Sequence, residues 1–304
     1  MTDRGAMIVI LGPTASGKTR LAVEVALRLD GEIISADSRQ VYRGMTLGTG
    51  KDLAEYRREG RVAPYHLIDI LEPGVEFSVF DFQRLFLRAY EDIRGRGKWP
   101  VLCGGTGLYI DAVLSGYRLI ETPRNERLRE ELAPLDLPGL VARLQQIRPI
   151  HNRKDMLDRE RLTRAIEIEE YARLCSVAPL ARIPARVYGV RWDRAVLRRR
   201  IAERLKARLD AGLAEEVREL LAGGVSAEQL AAYGLEYRHV THYVLGAVSR
   251  ADMEQELCTA IRQFAKRQET WFRRMERHGT PITWLPGNAA PERNAQRILE
   301  ECMA

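Results

Sequence analysis

No apolar stretch in this 304-residue sequence approaches the ~20 residues that cross a bilayer, so a membrane partner is not expected. The cysteines, Cys103, Cys175, Cys258 and Cys302, lie far apart with no C-x-x-C pair. That argues against a zinc site and a disulfide framework, and fits a reducing cytoplasm. Met1-Thr2-Asp3-Arg4-Gly5 leads straight into an apolar run, so no signal peptide is expected. Internal repeats and low-complexity tracts are also lacking.

Among what is present, Gly12-Pro13-Thr14-Ala15-Ser16-Gly17-Lys18-Thr19 matches the phosphate-loop pattern G-x-x-x-x-G-K-[ST]. It follows the apolar run Met7 to Leu11 and precedes a helical pattern with Leu21, Ala22, Val25, Ala26 and Leu29 on one face. A strand, a Gly-rich turn and a helix are the context the motif needs. Such a loop turns backbone N–H groups inward to bind a chain of phosphates. Lys18 adds a point charge, and the Thr19 hydroxyl is placed to ligate Mg²⁺. The motif therefore points to a diphosphate or triphosphate, with no reaction specified.

Strand and helix patterns alternate over the first 115 residues. Further strands are expected at Glu32 to Ser35, within the run His66 to Leu71, and at Pro100 to Cys103. Ser78-Val79-Phe80-Asp81 reads as a capping box that opens a helix with Phe82, Leu85, Phe86, Ala89 and Ile93 inward. The expected class is α/β: a phosphate-loop NTPase-like parallel sheet flanked by helices, with ligands at the carboxyl ends of the strands. Arg118 to Pro123 leaves this pattern, and Ser176 to Pro184 is Pro-bearing and aperiodic. An all-helical insertion is expected at 121–184, between core segments 1–120 and 185–304. The core returns with a strand at Val187 to Val190, then a helical C-terminal region. The tail from Pro286 carries little pattern.

Net charge is +6, and its placement says more than its size. Arg186 to Arg208 holds nine basic residues against two acids, and Arg262 to Arg277 holds six against two. Clustered arginine is the footprint of a polyphosphate partner, although a solvated helix face explains either cluster alone. In the second cluster Ile261, Phe264, Ala265, Phe272 and Met275 form an apolar face. Arg262, Lys266, Arg273 and Arg277 form a basic stripe, and Trp271 stands beside Arg267 and Arg274. An aromatic next to arginine suits base stacking with phosphate contact. Asp37, after the second strand, fits a general base, a Mg²⁺ helper or a turn-forming residue. Gly104-Gly105-Thr106-Gly107 is a second Gly-rich turn, either a second wall for the phosphates or a tight turn alone. His239 and His242 lack a third metal ligand and read as exposed histidines.

Five motifs in order carry a resemblance. They are the phosphate loop; Asp37-Ser38-x-Gln40-Val41-Tyr42-Arg43-Gly44-Met45 with Gly48-Thr49 and Lys51; Gly104 to Tyr109; Arg161-Leu162-x-Arg164-Ala165-Ile166-Glu167; and Lys266-Arg267-Gln268-x-Thr270-Trp271-Phe272-Arg273. Over nearly the whole chain the sequence resembles the bacterial tRNA dimethylallyltransferases, also called the tRNA isopentenyltransferase or IPP transferase family. The resemblance implies transfer of a dimethylallyl group from dimethylallyl diphosphate to N6 of the adenosine 3′-adjacent to the anticodon, with diphosphate leaving and Mg²⁺ as cofactor. By matching position it implies Asp37 as general base, with Lys18, Thr106 and Arg204 at the diphosphate. Contacts to tRNA are implied at Asp37, Ser38, Arg39, Gln40, Thr106, Arg129, Glu160, Arg161, Leu162, Thr163, Arg164, Lys266, Arg267, Gln268, Trp271 and Arg273. A monomer in the cytoplasm is expected.

Two stretches depart from the family pattern, Tyr233 to His239 and Ile150 to Asp155. A small-molecule kinase shares the core motifs but leaves the insertion and the Trp-bearing helix without a role. An adenylate isopentenyltransferase acting on free nucleotide leaves both basic clusters superfluous. Asp37 and Thr106 beside the loop speak against a non-catalytic, nucleotide-gated RNA-binding protein.

Overall fold

The structure, a computed structural model, describes residues 6–148, 157–174 and 180–303. The readings attached to Met1 to Gly5, to Ile150 to Asp155, to Cys175 and to the start of the Ser176 to Pro184 stretch lie outside those residues.

Strand β1 (Met7–Leu11) is apolar and buried at every position, the mark of a strand covered on both faces. The phosphate loop follows, then α1 (Lys18–Leu29) and β2 (Gly31–Ala36). A 3₁₀ turn at Leu53–Tyr56 and a hairpin of β3 (Arg57–Arg58) with β4 (Arg61–Val62) precede β5 (Tyr65–His66). Ser78 caps α2 (Val79–Gly95) with the reciprocal Ser78–Asp81 bonds of a capping box. Its buried Phe82, Phe86 and Ile93 face β6 (Trp99–Gly104), which runs into α3 (Gly107–Leu114).

The chain divides into two units, Met1–Ser115 with Arg182–Ala304, and Gly116–Ala181. The second contains α4 (Glu126–Leu132), α5 (Leu137–Gln145) and α6 (Arg159–Leu174). Asn125 and Asp136 accept backbone N–H bonds at the starts of α4 and α5. The core of this unit is Leu128, Leu132, Leu140, Leu144, Leu162 and Ile166.

The first unit resumes with β7 (Ala185–Arg191), α7 (Arg194–Asp210), α8 (Leu213–Ala222), α9 (Ala227–Ala232), α10 (Leu235–Val244) and the long α11 (Arg250–Arg277). It closes with β8 (Thr283–Pro286) and α12 (Pro291–Met303). The tail that carried little pattern is therefore ordered: β8 extends the sheet, while Ala295 and Ile298 join the core that α1 forms on one face. Phe272 and Met275 of α11 join the opposite face. The run His66 to Leu71 yields only the short β5, because Leu67 (φ 63°) and Asp69 (φ 54°) take left-handed conformations that end an extended ladder. Among the described residues no helix is long and apolar enough to cross a membrane.

The sheet has the order β5-β2-β6-β1-β7-β8 with every neighbouring pair parallel. Gly104 pairs with both Leu11 and Ala36, and Leu11 also pairs with Gly189. This register brings the ends of β1, β2 and β6 to one level. The segments that leave them (the phosphate loop, Asp37 and Gly105-Thr106) therefore emerge side by side.

Glu32 of β2 illustrates how the rim of the sheet is tied. It accepts hydrogen bonds from both terminal nitrogens of Arg96, and His66 Nε2 lies 2.7 Å away. The Arg96 bonds hold the carboxyl down at about 2; burial opposes this and His66 adds to it. The folded value lies below the ordinary value of about 4.3, so the stabilisation is complete above that pH and is lost as pH falls towards 2. Glu32→Gln should flatten the fall in urea midpoint between about pH 5 and about pH 3. A variant curve parallel to that of the parent would remove Glu32 as the source.

Candidate active site: a cationic cavity at the strand ends

The phosphate loop leaves β1 through Ala15 (φ 61°) and Gly17 (φ 86°), both left-handed, and enters α1 at Lys18. The first turn of any helix leaves N–H groups without an intrahelical partner. Here those groups belong to the loop and to the start of α1. A cavity of about 460 Å³ opens beside them, lined by Thr14, Lys18 and Thr19 of the loop, Asp37 to Gln40 after β2, Gly105 and Thr106 after β6, Arg204 and Arg208 of α7, and Phe264, Arg267, Gln268 and Trp271 of α11. Residues far apart in sequence thus converge because the strand ends share one level and α7 and α11 close the sides.

Burial draws the Lys18 ammonium below its ordinary value; Arg204 adds to the shift, and Asp37 and Asp52 oppose it. Its Nζ donates to Pro13 O at 3.4 Å. Arg204 donates to Thr14 Oγ1 at 3.1 Å and is paired with Asp52, which Arg208 also reaches at 3.4 Å. Burial raises the Asp52 carboxyl, but the two guanidiniums outweigh it and hold it below its ordinary value. Burial lowers Arg208, the like charge of Arg204 adds to this, and Asp52 and Glu236 oppose it. Lys18, Arg39, Arg204, Arg208, Arg238 and Arg267 line the cavity with only Asp37 and Glu236 as acids, and this excess makes a site for a multiply charged anion. Cys103 lies in the same wall, but burial pushes its thiol up to about 12, so it is neutral there and no nucleophile.

Asp37 Oδ1 accepts the Arg39 N–H at 2.9 Å, the Asx turn expected of a loop aspartate, while the residue lines the cavity. The turn reading and a role at the site are therefore compatible. Thr106 Oγ1 accepts the Ser38 N–H at 3.2 Å and joins the two strand-end loops. Gln40 reaches Gly50 O at 3.0 Å and fixes the following loop.

Several expected contact residues are placed otherwise. Not all loop N–H groups point at the cavity: Thr14 N donates to Gln268 Oε1 at 2.8 Å and Ser16 N to Pro13 O at 3.3 Å. Gln268 is buried and also donates to Gly105 O at 2.9 Å, so it bridges the two Gly-rich turns from the cavity wall. In the helical unit Leu162 and Thr163 are buried. Arg129 is largely enclosed by Glu167 and Glu160, each at 2.7 Å, and Arg164 bonds to Glu167 and to Thr122 O. These are the internal ties of a small helical core. Arg161 is exposed and pairs with Asp158 at 3.3 Å. Of the basic stripe on α11, Lys266, Arg273 and Arg277 are exposed and Arg262 is half-buried; Arg267 beside it is exposed as well. Phe264 is turned outward at the cavity instead of joining the apolar face. His242 is exposed, while His239 is half-buried against Glu256.

Sequence patterns did not disclose Asp52, Arg208 or Glu216. Glu216 accepts N–H bonds from Thr46, Leu47 and Gly48, and the Tyr237 hydroxyl donates to it at 2.7 Å. It pins the loop that carries Asp52. The only signal was the Gly48-Thr49 and Lys51 stretch; Lys51 is buried and donates to Tyr42 O at 2.5 Å.

The sequence pattern described as IPP transferase matches residues 40–275, and that described as isopentenyl transferase matches residues 5–62. The chain is 55% identical over 294 residues to tRNA dimethylallyltransferase 1 of Geotalea uraniireducens, covering 96% of each. It is 59% identical over 296 residues to tRNA dimethylallyltransferase 2 of Syntrophotalea carbinolica, covering 96% of this chain and 98% of the relative. Among solved structures it is similar to the full-length tRNA isopentenylpyrophosphate transferase from Bacillus halodurans, with a TM-score of 0.71 and 32% identity over 98% of this chain and 97% of that one.

The placement of Gln268 is open to test. Gln268→Ala should weaken binding of inorganic diphosphate about fivefold, the loss of roughly 1 kcal/mol of hydrogen bonding, and leave RNA affinity unchanged. Titration calorimetry and filter binding read the two. The reverse pattern would return Gln268 to the RNA-facing surface.

Proposed function

Because this chain belongs to the IPP transferase family, we propose that its strand-end cavity transfers the dimethylallyl group of dimethylallyl diphosphate to N6 of the adenosine 3′-adjacent to the anticodon in tRNA. The observation that carries the reading is one cavity lined by the phosphate-loop cations, a carboxylate and the Arg- and Trp-bearing face of α11.

In the reaction the N6–carbon bond forms as the allylic carbon–oxygen bond breaks. The bonding pair leaves with diphosphate, and N6 loses a proton. Negative charge grows on the leaving diphosphate, and Lys18 and Arg204 at the cavity, with the N–H groups at the start of α1, are the groups that would receive it. The exocyclic amine of adenine is a weak nucleophile, so a carboxylate must take its proton. Asp37 is that group, oriented through Oδ1 by the Arg39 N–H. Thr106 holds the Asp37–Ser38 loop at the diphosphate end.

For a divalent ion the Thr19 hydroxyl in the same cavity is a fitting donor, since hard cations at phosphates take one or two protein oxygens with the rest from substrate and water. Mg²⁺ bound there would supply further positive charge against the leaving diphosphate. The target base must leave its stack to reach the cavity, which costs a few kcal/mol and least in a single-stranded loop. Trp271 and Phe264 at the cavity offer stacking surfaces, and Lys266, Arg267 and Arg273 offer phosphate contacts. Among the described residues Cys103, Cys258 and Cys302 form no disulfide, which suits work in the reducing cytoplasm.

Incubation with labelled dimethylallyl diphosphate, Mg²⁺ and undermodified tRNA should place label in acid-insoluble material, and AMP should accept none. Label in AMP, or ATP turnover with neither acceptor labelled, would overturn the assignment. Asp37→Ala should lower kcat about 10²–10⁴-fold with tRNA affinity kept; near-normal turnover would remove the base role. Arg267→Ala should weaken tRNA binding and reduce the slope of log affinity against log salt by about one. An unchanged slope would exclude a phosphate contact there.

A further inference from the structure

The outward side of the phosphate loop is gripped by two side chains that the chemistry above does not use. Trp192, directly after β7, donates its indole N–H to Ser16 O at 2.8 Å. Arg200 of α7 donates Nε to Ala15 O at 2.9 Å, and its guanidinium lies over the Trp192 ring, 4.3 Å from the centroid. Two successive carbonyls of the loop are thus held from behind by a stacked pair. The peptides involved are the ones that most need holding. Ala15 takes φ 61°, a left-handed conformation costly for any residue with a side chain, and it persists only where surrounding bonds over-determine it. The indole is itself fixed, since a Cβ at Gly287 would lie under 3.0 Å from its Nε1, and Gly287 N is tied to Arg191 O at 2.7 Å.

A peptide plane whose C=O points one way has its N–H pointing the other. The N–H that shares a peptide with Ala15 O belongs to Ser16 and closes the turn of the loop by donating to Pro13 O at 3.3 Å; the one that shares a peptide with Ser16 O belongs to Gly17, the residue that caps α1, and points away from Trp192. We infer that Trp192 and Arg200 are positioning residues for the diphosphate: by holding the Ala15 and Ser16 carbonyls outward they fix the loop in its anion-binding shape, and α7 thereby couples that shape to Arg204. Arg200 and Arg204 stand one turn apart on α7. One side chain grips the outside of the loop and the other bonds to Thr14 Oγ1 at the cavity. One rigid helix therefore sets both the backbone donors and the side-chain cation that meet the same anion. This rests on the reading of the cavity as a diphosphate site.

The test uses inorganic diphosphate with Mg²⁺ as the probe, by titration calorimetry on the full chain. Trp192→Phe keeps the ring under Arg200 and beside Gly287 and removes only the N–H. Arg200→Met keeps the length and removes donor and charge. Each should weaken diphosphate binding about fivefold or more, and in turnover each should raise KM for dimethylallyl diphosphate while KM for tRNA stays put. Arg200→Lys, which can still donate to Ala15 O, should recover part of the loss. Melting temperatures should stay within a few degrees of the parent, which separates loop shape from general damage. Diphosphate affinity within twofold of the parent in both Trp192→Phe and Arg200→Met, or equal rises in both KM values, would overturn the inference while leaving the assigned reaction standing. A parent chain that takes up no diphosphate would overturn both.

Discussion

The row of strand ends at Leu11, Ala36 and Gly104 is what the rest of the site depends on. Gly104 sits between its two neighbours, and a Cβ there would lie under 3.0 Å from Ala36 O. That close approach lets the loops after β1, β2 and β6 leave the sheet at one height. Because parallel ladders fix register along every residue of the strand, a slip of one position would carry Asp37 and Thr106 away from Lys18 together. The site is therefore as rigid as the centre of the sheet.

On that platform the charges are arranged as a cationic excess with a few internal counter-ions. Asp52 answers both Arg204 and Arg208, and Glu236 lies 3.9 Å from Arg208. The balance stays positive where Lys18 and Arg204 meet the cavity. On the proposed reading, an entering diphosphate would find partners in place and little reorganisation would be needed as charge develops on it. The residues that hold those partners lie behind them: Glu216 for the loop that carries Asp52, Gln268 for the two Gly-rich turns, and Trp192 with Arg200 for the loop carbonyls. Glu216, Trp192 and Arg200 are inconspicuous in sequence and Gln268 stands there only within the α11 motif, yet each satisfies backbone groups that would otherwise be strained or orphaned.

The helical unit follows the same logic on a smaller scale. Glu167 receives Arg129, Arg164 and the Asn125 N–H; burial raises its carboxyl, but these partners outweigh it and bring it down to about 2. A motif that reads as a basic contact surface is in large part the polar clasp of a three-helix core. Arg161 faces outward from it.

Legibility followed the range of the interaction. Short-range patterns declared themselves: the phosphate loop between an apolar run and an amphipathic helix, the Ser78 capping box, the all-apolar strands, and the basic stripe on α11. These depend on neighbours within one or two turns, and their residue types are dictated by local backbone needs. Hydropathy does not report the left-handed Leu67 that ends β5 at His66, and α12 carries little pattern because its partners on α1 lie some 270 residues away in sequence. By itself the sequence determined the phosphate chemistry, the α/β class and the family resemblance. Tertiary structure alone decided which arginines are free to meet a ligand and which are spent on carboxylates, because pairing depends on side chains brought within 4 Å by folds of the chain that no local pattern records.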